Sequence, residues 1–296
     1  MEDFMYDFNK KKILITGGTD SIGAATASLL VNLGADVYVV GRSAEKGKAL
    51  VAKVRGETAA GQLTFLQADL SLMRTVLQSA EKLTELMPHI DLLVHCVGIL
   101  INRAEHTAEG TEKDFAVGYL SRFTLTNALV ESGVLSSQSI VINVAASGPK
   151  IPRFARLEFD DLAEVEARVG MQSHGHAQLA NDLYSLELSR RFGLAVVGYG
   201  PGSVDTNIRR ELNPTLRKIV KPLYMFTTRK PEVVARQFAD ILRDETPQAG
   251  RTVFFNKKGS FTPDAYLLDE ARRHDLWSAS ATLLTKALTS PLGNGS

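Results

Sequence analysis

The sequence predicts one α/β domain built on a doubly wound parallel sheet of about seven strands, with helices on both faces. Three observations carry this prediction. Short apolar runs alternate with amphipathic segments along most of the chain, the β-α-β order that builds such sheets through right-handed crossovers. Several runs are continuously apolar, such as Asp36-Val37-Tyr38-Val39-Val40 and Ile140-Val141-Ile142-Asn143-Val144, which suits parallel strands covered on both faces. Across 296 residues there is no internal repeat and no linker, so the whole chain, 1–296, reads as a single domain.

Taken in order, residues 1–10 mix acids, aromatics and lysine without a signal-peptide core and are expected to be a flexible N-terminus. Phe4, Met5 and Phe8 are its only apolar anchors besides Met1 and Tyr6. Apolar runs then place strands at 12–16, 36–40, 62–67, 91–97, 138–144, 194–199 and 252–255. Amphipathic periodicity places helices at about 21–33, 43–54, 71–87, 109–132, 172–192 and 230–243. Two connections, 145–170 and 200–229, are longer than usual. Both follow the C-terminal ends of strands, the edge where an open α/β sheet binds ligands, so both are candidate substrate walls. Residues 257–296 form a C-terminal extension of one or two helices. Its apolar face, Leu267, Leu268, Trp277, Leu283, Leu284 and Leu288, either covers the cleft, meets another subunit or packs on the core.

Composition narrows the function. Hydrophobic residues make up 44% and charged residues 23% of the chain, as in soluble globular proteins. A net charge of +1 provides no footprint for nucleic acid or an anionic membrane. The single cysteine, Cys96, excludes an intrachain disulfide and any multi-cysteine metal site. It lies in an apolar run and reads as a buried, inert thiol. No metal-ligand spacing appears, no apolar stretch has the length of a membrane span, and a cytoplasmic location is expected.

The most specific chemistry lies between the first strand and the first helix. Residues 13–23 read Ile-Leu-Ile-Thr-Gly-Gly-Thr-Asp-Ser-Ile-Gly. Gly17 and Gly23 allow a tight turn and a close approach to a pyrophosphate, and Thr19, Asp20, Ser21 and Ile22 complete the cradle. The N–H groups opening the helix face the phosphate charge. Ser21 stands where a third glycine is often found, and its hydroxyl suits a phosphate or a helix cap. At the end of the second strand, a carboxylate would select NAD. Here Gly41 is followed by Arg42 and Ser43. A guanidinium suits a 2′-phosphate, so NADP(H) is favoured over NAD(H).

These motifs resemble the short-chain dehydrogenase/reductase family over roughly residues 10–256. The matching marks are Thr16-Gly17-x-x-x-Ser21-Ile22-Gly23 and Asp69-Leu70, where the family contacts adenine. His95-Cys96-Val97-Gly98 stands in place of its Asn-Asn-Ala-Gly. Pro201-Gly202-Ser203-Val204-Asp205-Thr206 matches the segment flanking the nicotinamide, and Leu179-Ala180-Asn181-x-Leu183 fits the retinol-dehydrogenase-like branch. The resemblance implies a Rossmann-type sheet and an NAD(P) site lined by these residues. It also implies possible homodimers or homotetramers paired through the helices near 109–132 and 172–192.

At the catalytic positions the family pattern fails. The family uses a Ser after strand five, Tyr-x-x-x-Lys on the next long helix, and a helix-borne Asn. Carried over by position, Ala146 falls on the Ser, with Ser147 one place away. His174 falls on the Tyr, Gln178 on the Lys and Gly118 on the Asn. An unperturbed imidazole titrates near pH 6.5, so His174 is a candidate acid/base. Gln178 can hydrogen-bond a ribose hydroxyl but carries no charge. His176 lies on a different helix face. Asp160 and Asp161 sit in the loop above the site.

Three readings stay open. One is an atypical NADP(H)-dependent oxidoreductase for a small apolar or conjugated molecule. Another is a non-redox isomerase, cyclase or dehydratase on the same scaffold. The last is a catalytically silent cofactor-binding regulatory protein.

Overall fold

The computed structural model describes residues 6–58, 60–101, 103–145, 148–150, 157, 159, 162, 171–204, 228–245 and 247–291. Eight strands appear among them: β1 Lys12–Thr16, β2 Asp36–Gly41, β3 Gln62–Gln67, β4 Leu92–His95, β5 Ile140–Val144, β6 Ala195–Gly200, β7 Thr252–Asn256 and β8 Gly259–Phe261. They form one sheet in the order β3-β2-β1-β4-β5-β6-β7-β8. Every pairing is parallel except the last. The strand order reverses between β1 and β4, so a crevice opens at their C-terminal ends, the place where such sheets hold ligands.

The eighth strand corrects the expected count and shortens the expected helical extension. Asn256 pairs with Gly259 across a tight turn, and Gly259 has φ +120°. The Asn256 side chain accepts the Lys258 N–H at 2.8 Å, which fixes this hairpin. Part of the N-terminal segment, from residue 6, is described. Phe8 is only 2% exposed, Tyr6 meets it edge-on with ring centroids 4.9 Å apart, and the Lys10 N–H donates to the Gly34 carbonyl at 2.8 Å. Residues 6–10 are therefore held on the domain.

Alternation along the strands divides the core into two layers. Leu14, Leu93, Val141 and Val196 face one side, and Ile13, Ile15, Val94, Ile142 and Val197 face the other. Each full burial of such a side chain contributes about 1.5–3 kcal/mol. The second layer is closed by α1 (Ser21–Asn32), α2 (Ala44–Glu57) and α7 (Pro231–Asp244). The first is closed by α3 (Met73–Leu86), α5 (Ser121–Glu131), α6 (Met171–Phe192) and, after the short helix α8 (Ala265–Leu268), by α9 (Glu270–Thr289).

The helix expected over 109–132 starts only at Lys113. It runs as α4 (Lys113–Phe115), a π-helical turn (Ala116–Leu120) and then α5. Such turns often mark functional positions.

Helix α9 settles the role of the extension's apolar face. Trp277 stacks among Phe123, Tyr184 and Phe192, with centroids 5.1, 6.0 and 5.8 Å away. The Arg191 guanidinium lies 4.2 Å from the centre of its ring. Glu187 of α6, 3% exposed in its side chain, binds Arg190 and Arg191 and lies 3.9 Å from Arg273 of α9. The chain's own α9 thus covers part of the surface that the family resemblance assigns to subunit pairing. Among the described residues, no helix is long and apolar enough to cross a membrane.

Candidate functional site

Strand β1 delivers Gly17 to the crevice. Its φ is +67°, and a Cβ there would lie 2.8 Å from both the Cα and the N of Val97. The turn therefore presses directly on the chain leaving β4, which only glycine permits. A Cβ on Gly23 would lie 2.3 Å from the Gly17 carbonyl oxygen, so the start of α1 is equally tight. Ser21 has φ +46°, the left-handed region where a non-glycine residue is uncommon. The backbone keeps a glycine's shape although the residue has changed. The Ser21 hydroxyl donates to Asp20 Oδ1 at 3.2 Å and does not cap α1. Asp20 in turn pairs with Lys46 of α2. Ile22 is 9% exposed and belongs to the core.

The end of β2 packs on this cradle. A Cβ on Gly41 would lie 2.7 Å from Thr19 Oγ1, so a carboxylate at position 41 has no room. Arg42 is exposed. Its carbonyl accepts from Gln67 Nε2 at 3.2 Å, and among the described residues no carboxylate pairs with its guanidinium. Ser43 is committed locally, since its Oγ accepts the Lys46 N–H at 3.3 Å and caps α2. Asp69 is exposed and its carboxylate accepts the Ser71 N–H at 2.9 Å, beside buried Leu70. Cys96, Val97 and Gly98 follow β4 at the crevice. Beyond β6, Pro201, Gly202, Ser203 and Val204 lead to a bridge between Val204 and Arg229. The glycine geometry and the unpaired Arg42 fit a dinucleotide carrying a 2′-phosphate.

Two buried bases shape the floor of the crevice. Arg122 of α5, 3% exposed, donates through Nη2 to the carbonyls of Val97 and Val144 at 2.7 and 3.3 Å. It thereby ties together the C-terminal ends of β4 and β5. Burial pulls its pKa down to about 10, and Cys96 and Asp182 partly offset this. Burial also pushes the Cys96 thiol up to about 12, although Cys96 is partly exposed rather than fully buried as expected. His95 bridges Thr16 Oγ1 at 3.1 Å and Thr126 Oγ1 at 2.9 Å. Burial and the Arg122 charge hold it well below the usual histidine range, so it is a neutral core residue.

The altered catalytic positions meet on α6 and the π-helical turn. His174 and Gln178 lie one helical turn apart, with their Nε2 atoms separated by 3.1 Å. The His174 side chain is 18% exposed, and its Nδ1 lies 3.5 Å from Asp114 Oδ1. Neither Asp114 oxygen nor His174 Nδ1 has a partner at full hydrogen-bond geometry, although the Ile101 N–H lies close enough to act on the carboxylate. Burial raises the Asp114 pKa, while His174 and the Ile101 N–H draw it back.

Gly118 lies beside this pair: a Cβ there would sit tightly at 3.2 Å from Ala177 Cβ and in ordinary contact, 3.5 Å, with Asp114 Oδ1. Asn181 Nδ2 donates to the Gly118 and Ala177 carbonyls at 2.8 and 2.7 Å. His176 is buried. Ala146, Ser147, Asp160, Asp161, Asp205 and Thr206 lie outside the described residues.

Sequence reasoning missed Asp114 and Arg122, and it used Asn181 only as a family mark. Asp114 left a signal: it stands four residues before Gly118, hence on the same helix face, at the start of an otherwise apolar run. Among the described residues, no group of three or more potential metal ligands occurs.

Comparison with known proteins agrees with this architecture. The family model for short chain dehydrogenases matches residues 11–156. Retinol dehydrogenase 12 of Mus musculus is 26% identical over 279 residues, covering 93% of this chain and 86% of that protein. Polyprenol dehydrogenase of Homo sapiens is 27% identical over 284 residues, covering 91% and 84%. A crystal structure of an uncharacterized protein from Mycobacterium paratuberculosis superposes with a TM-score of 0.71 at 22% identity, covering 95% of this chain and 96% of that one. Residues 11–156 thus match the short chain dehydrogenase model, and over most of its length the chain is similar to retinol dehydrogenases.

Proposed function

We propose that this chain is a member of the short-chain dehydrogenase/reductase family and an NADP(H)-dependent oxidoreductase of altered proton chemistry, acting on a small apolar or conjugated molecule. The observation that carries this reading is a nucleotide cradle of glycine geometry beside a free Arg42, set against a proton site rebuilt around His174. Gly17, Gly23 and the N–H groups opening α1 would hold the pyrophosphate, and Arg42 the 2′-phosphate. Bound NADP(H) would supply or accept the hydride.

The chain's own contribution at the reacting atoms is His174. A positioned general acid is worth roughly 10²–10⁴ in rate, and His174 has the partial exposure this role needs. Gln178 lacks the charge with which a lysine would steady a phenolate, and at position 174 there is no phenol to steady. This combination suits an acceptor already polarised by conjugation better than an isolated ketone. The names of the retinol and polyprenol dehydrogenases support an apolar, unsaturated alcohol or aldehyde as the substrate class.

The test is nucleotide binding followed by turnover. NADPH should bind at least tenfold tighter than NADH, and Arg42→Ala should erase that preference. NADPH oxidation should appear with conjugated aldehydes and enones and be lost in His174→Phe. No binding of either nucleotide would refute the proposal, as would substrate conversion at constant NADPH.

A further inference from the structure

We infer that Asp114 is the positioning residue of His174: its carboxylate faces Nδ1, fixes the tautomer and supports the imidazolium. This rests on the reading of His174 as the acid/base group. Three observations meet here.

The first is two buried atoms facing each other at 3.5 Å, Asp114 Oδ1 and His174 Nδ1. A buried carboxylate is costly unless it is well paired, and among the described residues this imidazole is the side chain within ion-pair distance of it. Catalytic hydrogen bonds are often long before ligand binds and close in the complex.

The second is a double clamp on the spacing. Glu112, two residues before Asp114, accepts from Ser173 Oγ at 2.8 Å, and Ser173 immediately precedes His174. Seven residues beyond His174, Asn181 holds the Gly118 carbonyl. The two helical segments are thus pinned on either side of the pair.

The third is Gln178. With its amide placed so that Nε2 faces the ring, Gln178 donates to the lone pair of His174 Nε2. The ring proton of neutral His174 then sits on Nδ1, towards Asp114. In the reducing direction His174 carries protons on both nitrogens. The Nε2 proton passes to the substrate oxygen, the Nδ1 proton stays, and Asp114 remains ionised throughout, as in other carboxylate–imidazole pairs. Among the described residues, the other ionisable group beside the pair is Glu112, the N-cap of α4, held by its bonds to the Asp114 and Phe115 N–H groups; His176 lies on another face of α6.

The experiment is ¹⁵N NMR of the histidine side chains, assigned by loss of one signal in His174→Phe. Wild type should show the Nδ1–H tautomer at high pH. Asp114→Asn should keep that tautomer yet lower the imidazole titration by about one unit. Asp114→Ala should lose both effects. NADPH affinity should change less than twofold in each variant.

The falling limb of reduction against pH should move down with the titration, a loss of about tenfold above the wild-type midpoint. An unshifted titration in Asp114→Asn overturns the inference, and wild type alone does so if its tautomer is Nε2–H. A shifted titration combined with full activity in His174→Phe would uphold the pair and remove His174 from the chemistry.

Discussion

Ser280 of α9 offers a sharp test of how the C-terminal helix is held. Its hydroxyl donates to the Leu276 carbonyl at 2.7 Å, so its one hydrogen is committed. Tyr119 lies 2.7 Å away through its own hydroxyl, and Tyr119 must therefore be the donor. Both residues are 0% exposed, inside a cluster where Phe115 and Tyr184 lie 5.0 and 6.0 Å from the Tyr119 ring.

Removing each partner has unequal consequences. Ser280→Ala strands a buried phenol hydroxyl, which costs about 1–3 kcal/mol. Tyr119→Phe removes the donor and leaves Ser280 satisfied by Leu276, which costs about 0.5–1.5 kcal/mol. The double variant should lie close to Tyr119→Phe, because no phenol remains to be stranded. The coupling then equals the cost of Ser280→Ala itself, about 1–3 kcal/mol. Trp277, the only tryptophan, stands three residues from Ser280 and reports docking of α9 by fluorescence during urea unfolding. Each kcal/mol should move Tm by about 2–3 °C. Equal costs for the two single variants, or strict additivity in the double, would refute the assignment of donor and acceptor.

Two further outcomes are expected. Gly17→Ala forces a Cβ to within 2.8 Å of the Val97 backbone at φ +67°. It should lower stability by about 2–5 kcal/mol and raise the NADPH Kd at least tenfold, measured by unfolding and fluorescence titration. For Glu187, burial works against the carboxylate, but Arg190 and Arg191 outweigh it and hold its pKa below the usual range. A depressed folded pKa means that its stabilisation is full above the unfolded value of about 4.3 and is lost as pH falls through the folded one. Glu187→Gln should therefore cost about 1–2 kcal/mol at pH 7, discounted because its arginines keep contact with water, and almost nothing at the acid end. Unfolding curves from pH 7 to 3 check this.

The parts of the fold legible from sequence were those written in local pattern. Continuous apolar runs located β1, β2 and β5, and the spacing of Gly17 and Gly23 located the cradle. What escaped depended on contacts between distant residues. Phe8 looked like part of a loose tail because nothing near it in sequence shows that the domain offers it a slot. The hairpin at Asn256–Gly259 was lost inside a stretch read as helical, although its glycine was visible. The π-helical turn escaped because its residues are helix-compatible and apolar, as any α-helix there would be. At the site, family positions pointed to His174, Gln178 and Gly118. They could not point to Asp114, whose partner lies 60 residues further along the chain. The Gly41–Arg42 pair is the opposite case. Its glycine is explained by a contact with Thr19 that sequence does not show, while the exposed arginine was readable at once.

The cover supplied by α9 also bears on how the chain acquires its structure. Phe123, Tyr184 and Phe192 are synthesised well before Trp277, and β6, α7, β7 and β8 come between. During synthesis, and in any refolding that begins from the sheet, an aromatic face stays bare until the final described helix arrives. Closing so long a loop is entropically slow, and bare apolar faces at that stage favour association between incomplete chains. Removing residues 270–289 is therefore expected to lower the yield of folded protein, measured as the soluble fraction on refolding.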